Sequence, residues 1–233
     1  IEVGDQHLIE LYGRIQQLND YSLIKLNDLY IVSPSHVHNG AAMLPLRFVP
    51  VRARAAMEWL INFIDRMKNE PLRAFLTGIL LDPELGYKFI RSRASNRYHS
   101  AYPGGLLVHS VEVARLAGQG GRLLGESELS LAMMHVGALL HDLGKIDTVG
   151  ERNPRPMNPA LYMHEHQTIH LLAPHINALK KASSIEGMLM QHLISRLALP
   201  FKGRCPTMAE ELIRFADQAS AGHKAKQSLA EFI

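Results

Sequence analysis

The segment Val136-Gly137-Ala138-Leu139-Leu140-His141-Asp142-Leu143-Gly144-Lys145 is the most informative part of this chain of 233 residues. An imidazole and a carboxylate follow directly on an apolar helical run, where an unpaired buried charge costs several kcal/mol. A metal ion bound by both groups removes that cost, so the His141-Asp142 pair predicts a metal site. The alternative is a helix C-cap, in which Gly144 ends the helix and Lys145 interacts with the helix dipole.

Two further ligand candidates lie far from this pair in the sequence. His109 follows Pro103-Gly104-Gly105 in what reads as the first turns of a helix, and Asp217 lies in a helical segment near the C-terminus. Imidazole nitrogen together with carboxylate oxygen favours manganese, iron, nickel, cobalt or zinc over magnesium with its all-oxygen ligands. The expected cofactor is therefore a divalent transition metal.

The order His…His-Asp…Asp across three helices resembles the HD superfamily of metal-dependent phosphohydrolases. The resemblance implies an all-α fold, an HD-domain helical bundle with a short N-terminal extension. It also implies that the metal is bound by His109, His141, Asp142 and Asp217. In the reaction that it implies, Asp142 orients a water molecule and Lys145 lies near a substrate phosphate, so these two are the predicted catalytic residues.

The chain is expected to divide into an N-terminal extension and connector, residues 1–50, and an HD-type domain, residues 51–233. Apolar residues recur at helical spacing in segments near 52–68, 72–80, 82–89, 106–124, 128–143, 164–181, 185–197 and 207–221. Ser127 and Thr207 are predicted N-caps, and Glu210 completes a capping box with Thr207. An apolar stripe from Leu8 to Leu18 predicts one more helix. Residues 21–32 fit a strand or a helix, and residues 33–50 an extended connector.

The composition fits one hydrophobic core in a reducing compartment. The chain is 47% hydrophobic, enough for one core at this length. A single cysteine, Cys205, excludes an internal disulfide and favours a cytoplasmic location. No apolar stretch is long enough to cross a bilayer, so no membrane partner is expected. The first residue is Ile1 rather than Met, which predicts a piece of a longer protein with other domains.

The net charge of +3 is unevenly distributed. Residues 47–97 hold ten basic and five acidic side chains, directly before the segment that leads to His109. A basic approach to a metal site fits a polyanionic substrate such as nucleic acid. For any one of these arginines, a solvated helix face is the simpler interpretation.

A long irregular segment, residues 146–162, leaves directly from the His-Asp pair. Loops of this length without regular structure are usually functional or disordered, so we interpret it as a lid or substrate-contact loop, with an idle insertion as the alternative. The predicted substrate-binding residues are two of its arginines and two residues before His109, namely Arg152, Arg155, Arg97 and His99. His99 alternatively supports His109 from behind.

A second metal site is a weaker expectation. His164 and His166 begin the helix after the long loop, and His166 is the preferred ligand because a regular helix starts from it. His192 is the second predicted ligand. It shares a helix face with Ile185, Met188 and Leu189, so a core histidine is an equal alternative.

The resemblance is sharpest over residues 98–114, together with Ala216-Asp217-Gln218-Ala219-Ser220 and Leu80-Leu81-Asp82-Pro83. Over most of residues 43–222 the chain is similar to the HD domain of TraI-type (MobH) conjugative relaxases. It is more distantly similar to YhaM-type 3'-5' exoribonucleases. Where that second group carries a His-His pair, this chain has Ser195, Arg196 and Leu197, which weakens the case for a second metal.

These resemblances imply hydrolysis of a phosphodiester in single-stranded nucleic acid, with DNA as the expected partner in a relaxase- or nickase-like domain of a conjugative DNA-transfer protein. Two alternatives remain open. A nucleotide phosphohydrolase acting on dNTPs or a cyclic nucleotide would need a small, closed pocket. A non-catalytic DNA-binding or assembly module would use the metal as a structural element.

Overall fold

The computed structural model describes residues 9–18, 21–32, 37–97, 99–152, 163–199 and 207–223. The first element in the described chain is a β-hairpin. Strand β1, Ile9–Leu18, pairs in antiparallel fashion with β2, Tyr21–Ile31. The helix predicted between Leu8 and Leu18 is therefore wrong, whereas the strand alternative for residues 21–32 is confirmed. Pairing sets Leu11 opposite Leu29 and Ile15 opposite Ile24, so these apolar side chains meet partners across the hairpin.

The rest of the described chain is helical, as predicted. The helices are α1 Gly40–Met43, α2 Arg54–Arg66, α3 Glu70–Leu81, α4 Gly86–Arg91, α5 Gly105–Leu123, α6 Glu128–Leu140, α7 Lys145–Thr148, α8 His164–Ala182, α9 Ser184–Leu197 and α10 Met208–His223. The helix predicted from residue 82 begins only at Gly86. Asp82 instead forms a turn, in which its Oδ1 accepts a hydrogen bond from the Glu84 amide (2.9 Å).

The predicted connector is not wholly extended, because it contains α1 and a 3₁₀ turn over Leu46–Phe48. Asn39 fastens this segment to the bundle. Its Oδ1 accepts from the Ala42 amide at 3.2 Å, and its Nδ2 donates to the Ile61 carbonyl at 2.9 Å. The domain boundary at residue 50 stays a proposal.

Helix α5 lies at the centre of the bundle and packs against α6 and α10, while α3 packs against α8. Apolar side chains from these helices fill the interior without solvent exposure, among them Leu106, Leu107, Val113, Leu139, Leu140, Leu172 and Ile213. Within the described residues, no helix has both the length and the apolar character needed to cross a membrane.

Two predicted N-caps are confirmed. The Ser127 hydroxyl accepts from the Ser130 amide, and the Thr207 hydroxyl accepts from the Glu210 amide, both at 3.2 Å. The Glu210 carboxylate does not complete a capping box. It is buried and instead pairs with Arg196 and Arg214, each at 3.2 Å.

The C-cap interpretation of Gly144 is wrong. Helix α6 ends at Leu140, before the His-Asp pair, and Gly144 has an ordinary right-handed backbone with φ of −59°. Residues 141–144 form a turn that leads into α7. The chain therefore leaves the helix at His141, which frees both side chains of the pair to face the interior of the bundle.

Candidate metal centre

A cluster of two histidines and two carboxylates lies where α5, the turn after α6, and α10 meet. One nitrogen or oxygen atom from each of His109, His141, Asp142 and Asp217 lies within 4.8 Å of the others. Nε2 of His109 is 3.1 Å from Oδ1 of Asp217 and 3.4 Å from Oδ2 of Asp142. Nε2 of His141 is 3.3 Å from the same oxygen of Asp142. The fold thus brings together the four residues that the sequence proposes as ligands.

Hydrogen bonds to Nδ1 of the two imidazoles determine which ring nitrogen carries the hydrogen and which presents a lone pair to the cluster. Nδ1 of His141 lies 2.7 Å from the Ala138 carbonyl, so this nitrogen donates. Nδ1 of His109 lies 3.0 Å from the Ser220 hydroxyl, which itself donates to Glu112 at 2.8 Å. Because that hydroxyl proton is used, Nδ1 of His109 also donates. In the neutral rings each Nε2 is then an electron-pair donor, as metal-bound histidine requires.

The environment of these atoms fits a cation. Both Nε2 atoms are buried and, among the described residues, neither has a hydrogen-bond partner of good geometry. Buried polar atoms without a partner are rare in proteins and mark sites for an ion or water. The donor set, two imidazole nitrogens and two carboxylates, is one that divalent transition metals accept. The cluster can therefore hold a divalent metal ion.

The pKa values of the cluster residues also indicate a site for a cation. Burial lowers the pKa of an imidazole, but at His141 the carboxylates of Asp142 and Asp217 outweigh burial and raise the pKa to about 10. Burial raises the pKa of a carboxyl group, yet the neighbouring histidines hold the pKa values of Asp142 and Asp217 below their usual range. The negative potential that binds a proton so tightly also stabilises a divalent cation.

His164 is the fifth histidine or carboxylate at this site. Its Nε2 lies 3.1 Å from Oδ1 of Asp142, the oxygen that faces away from the two buried imidazoles. Thr168, one turn later in α8, accepts from the Gly144 amide at 2.9 Å and also contacts the His164 carbonyl at 2.9 Å. Gly144 has no room for a side chain, because a Cβ there would lie 2.0 Å from the His164 carbonyl oxygen. The start of α8 is thus docked tightly on the His-Asp turn.

Lys145 contacts one of the four clustered side chains directly. Its Nζ pairs with Oδ2 of Asp142, and its side chain is 14% exposed. This ammonium group is therefore at the edge of the cluster, and part of it is accessible to solvent.

His166 and His192 are not brought to the cluster. His166 follows His164 by two residues, which turns it by about 200° around α8, and it is exposed. His192, in α9, is also exposed, so the core-histidine interpretation is wrong. Its role as a ligand of a second metal stays a prediction, since it is not among the four residues that converge. The structure places His164 where the sequence proposed His166. Both residues open the same helix, and only the docking of α8 on Gly144 distinguishes them.

The predicted substrate-binding residues have different positions. The His99 ring lies 4.9 Å from the His109 ring between centroids, and burial, with His109 and Lys145, lowers the pKa of His99. Arg97 and Arg152 are exposed. Arg155 lies outside the described residues. Among the described members of this set, His99 is in ring contact with a residue of the cluster.

Sequence reasoning missed two supporting contacts. Ser220 links His109 to Glu112, although the sequence offers only a small polar residue in the last turns of a helix. Arg91, in α4, binds Glu151 through its Nε at 2.9 Å and the Phe48 carbonyl through its Nη1 at 2.9 Å. This pair anchors the beginning of the long loop. Neither contact has a local sequence signal, because each joins residues from distant segments.

Comparisons with known proteins show which family the chain resembles. The family model described as "HD domain" matches residues 106–222. The 3'-5' exoribonuclease YhaM of Bacillus subtilis is 23% identical over 200 residues, which cover 83% of this chain and 60% of that protein. YhaM of Listeria innocua is 25% identical over 146 residues, 63% of this chain and 45% of that protein.

A relative of another kind is the dihydroneopterin 2',3'-cyclic phosphate phosphodiesterase of Methanocaldococcus jannaschii. It is 31% identical over 100 residues, 38% of this chain and 40% of that protein. The chain thus spans less than two thirds of the length of each of these three relatives. No solved structure matches the chain significantly.

Proposed function

Because this chain belongs to the HD-domain family, we propose that its bundle hydrolyses phosphodiester bonds in single-stranded nucleic acid with a divalent metal ion. The observation that carries the proposal is the convergence of two buried, unpartnered imidazole nitrogens and two carboxylates on one point. The proposed ligands are His109, His141, Asp142 and Asp217. The names of the relatives support the reaction, since both an exoribonuclease and a cyclic phosphate phosphodiesterase break phosphodiester bonds.

The residues around the cluster have distinct tasks in this proposal. A bound divalent ion would supply Lewis-acid activation of water and neutralisation of phosphate charge. Asp142 presents one oxygen to the imidazoles and the other to His164, which fixes the orientation of its carboxylate. Lys145, paired with Asp142, places a positive charge where it would stabilise the charge that develops on the phosphate oxygens.

RNA is the substrate that the relatives favour. Two of the named relatives are exoribonucleases, whereas the sequence resemblance to conjugative relaxases predicted DNA. The relatives named above do not include a relaxase, so that role stays a prediction from the sequence. We therefore propose RNA as the preferred polymer.

A second candidate substrate is a small cyclic phosphodiester. The archaeal relative supports it, because its name specifies a 2',3'-cyclic phosphate and its identity to this chain is the highest of the three. The same metal cluster would serve both substrates, and only the space around it would differ.

A cleavage assay tests the proposal. Labelled single-stranded RNA and DNA, and adenosine 2',3'-cyclic phosphate, are incubated with the chain and manganese, iron, cobalt, nickel or zinc. Asp142→Asn should lower the rate on the true substrate by about 10²-fold or more, because it removes a charge next to the reacting groups. Asp147→Asn is the matched control, since Asp147 is exposed and lies just beyond the same turn.

Two outcomes would overturn the proposal. One is full activity in Asp142→Asn. The other is an absence of cleavage by the wild-type chain with every metal, although elemental analysis shows one bound ion per chain. The second outcome would instead support the structural-metal alternative, in which the domain binds nucleic acid without cleaving it.

A further inference from the structure

An open groove of about 730 Å³ lies between α2, α5 and the first half of α6. It involves none of the proposed metal ligands. Its lining combines basic side chains with stacked aromatic rings, and the metal chemistry described above uses neither.

The charge of the groove is strongly positive. Its lining includes four basic side chains, Arg66, Lys68, Arg115 and Arg122, and one carboxylate, Glu128. All five are exposed. Within the described part of the chain, none of the four basic groups forms an ion pair, so their charge is available to a ligand. An anion of one or more charges complements this surface.

An aromatic stack forms one wall of the groove. The rings of Trp59 and Phe63 are nearly parallel, with centroids 5.1 Å apart, and Phe63 stacks on His135 at 5.0 Å. His135 is buried in a recess that exists because α5 carries Gly118 there. A Cβ on Gly118 would lie 2.1 Å from Nε2 of His135. Trp59 and Phe63 are only partly buried, which leaves part of the stack accessible to a planar ligand.

The groove and the metal centre are separate. His135, on α6, lies six residues before His141, the residue that follows the end of α6. It is therefore about 9 Å from His141 along the helix axis and about 120° around it. Arg122 follows His109 on α5 by about 20 Å along the axis and faces a direction about 140° away. The groove and the proposed metal site therefore lie on different sides of these helices. A ligand in the groove would not contact the metal ligands across either helix.

We propose that this groove binds a nucleoside phosphate unit, with the base against the Trp59–Phe63 stack and the phosphate between Arg115 and Arg122. Stacking on aromatic rings next to a cationic track is the chemistry with which proteins hold single-stranded nucleic acid and nucleotides. The unit is supplied either by a free nucleotide or by one residue of a strand. The inference does not depend on the proposed hydrolysis, since it involves other residues and needs no metal.

The fluorescence of Trp59 measures occupancy directly, because it is the only tryptophan in the chain. The probes are AMP, a single-stranded nine-residue oligoadenylate and inorganic phosphate, each titrated in EDTA so that no strand is cleaved. AMP or the oligonucleotide should quench the emission, whereas inorganic phosphate should not. If only the oligonucleotide quenches the emission, the bound unit belongs to a nucleic acid strand. If AMP binds as tightly as the oligonucleotide, the groove accepts a free nucleotide.

Two variants test the placement of the phosphate. Arg115→Gln and Arg122→Gln should each weaken binding about tenfold, because each removes a charge-assisted contact. For the oligonucleotide, each should also reduce the slope of log affinity against log salt by roughly 0.7. Arg54→Gln is the matched control, since Arg54 is exposed on α2 but does not line the groove.

Three results would overturn the inference. The first is an unchanged Trp59 emission at millimolar AMP and oligonucleotide. The second is an equal response to inorganic phosphate, which would remove any role for the base. The third is a loss of affinity in Arg54→Gln equal to that in the two groove variants, which would mean that binding depends only on the overall charge of the chain. Circular dichroism of each variant shows whether the helices are retained.

Discussion

Nε2 of His109, in α5, lies 3.1 Å from Oδ1 of Asp217, in α10. The His109 side chain is fully buried, whereas the Asp217 side chain is 41% exposed. The proposed metal site is therefore open to solvent on the Asp217 side and closed to solvent on the His109 side. An ion bound between these residues would connect the central helix of the bundle to the last one.

We expect manganese to stabilise the fold through this connection. At a free metal concentration of about 100 times Kd, the free energy of unfolding should rise by about 2.7 kcal/mol. Asp217→Asn should lose most of this increment because it removes an anionic ligand. Thermal denaturation with and without metal measures the effect. Glu211→Gln, an exposed change on the same helix, should retain it, and an equal increment in Asp217→Asn would exclude Asp217 as a ligand.

His164 and His166 form a natural pair for comparison. His164→Ala should lower metal affinity or the rate of hydrolysis by about 10–100-fold, since it removes the group that holds Oδ1 of Asp142. His166→Ala should change neither, because His166 is exposed on another side of α8. Metal titration and steady-state kinetics on both variants measure the difference. Equal losses would mean that the start of α8 is positioned differently when the site is in use.

Gly144 is expected to tolerate no side chain. In Gly144→Ala the Cβ would meet the His164 carbonyl oxygen at 2.0 Å and the Thr168 amide at 2.7 Å. Since both are backbone atoms, α8 must move, and we expect a loss of about 2–4 kcal/mol in stability together with lower metal affinity.

Gly78→Ala is the control for this change. Gly78 lies inside α3, and a Cβ there would have its nearest neighbour at 4.0 Å. Alanine should therefore stabilise the helix by about 0.5–1 kcal/mol. Urea denaturation of the two variants should give changes of opposite sign. A neutral Gly144→Ala would contradict the tight docking of α8 on the His-Asp turn.

His135 should make stability depend on pH. Burial lowers its pKa below the ordinary 6.5, and the nearby Arg122 lowers it further, although the hydrogen bond to the Leu131 carbonyl acts in the opposite direction. The unfolded state thus binds a proton more readily than the folded state. The contribution of neutral His135 is complete above about pH 6.5 and is lost as the pH falls from there toward its folded pKa, by at most about 1.4 kcal/mol per unit.

His135→Gln isolates this contribution. The stability advantage of the wild type over the variant should be larger at pH 8 than at pH 5, as measured by urea denaturation. His170→Gln, at an exposed position, controls for the loss of an imidazole elsewhere. An advantage that grows as the pH falls would show that folded His135 is preferentially protonated.

Much of the helical part of the fold follows from sequence periodicity. Segments such as 106–124 and 164–181 lie within one residue of α5 and α8, because each has an apolar stripe long enough to define its period. The local caps at Ser127 and Thr207 were equally predictable, since an N-cap depends on contacts within four residues. The four members of the metal cluster could be selected because a family pattern relates their positions along the chain.

Contacts between distant segments set the limit of such predictions. Nothing within residues 9–18 distinguishes a helical stripe from a strand until Leu11 meets Leu29 across the hairpin. The choice of His164 over His166 depends on how closely α8 approaches Gly144. The hydroxyl of Ser220 acquires its importance only when α10 lies beside α5.

Arg91 and Glu151 fix one end of the long loop to α4, and Thr168 fixes the start of α8 at the other end. These two anchors involve none of the four residues that converge in the proposed metal site. Connecting segments accept insertions and exchanges more readily than the helices that they join. Related chains can therefore vary in sequence between the two anchors while the ends of the segment keep their places.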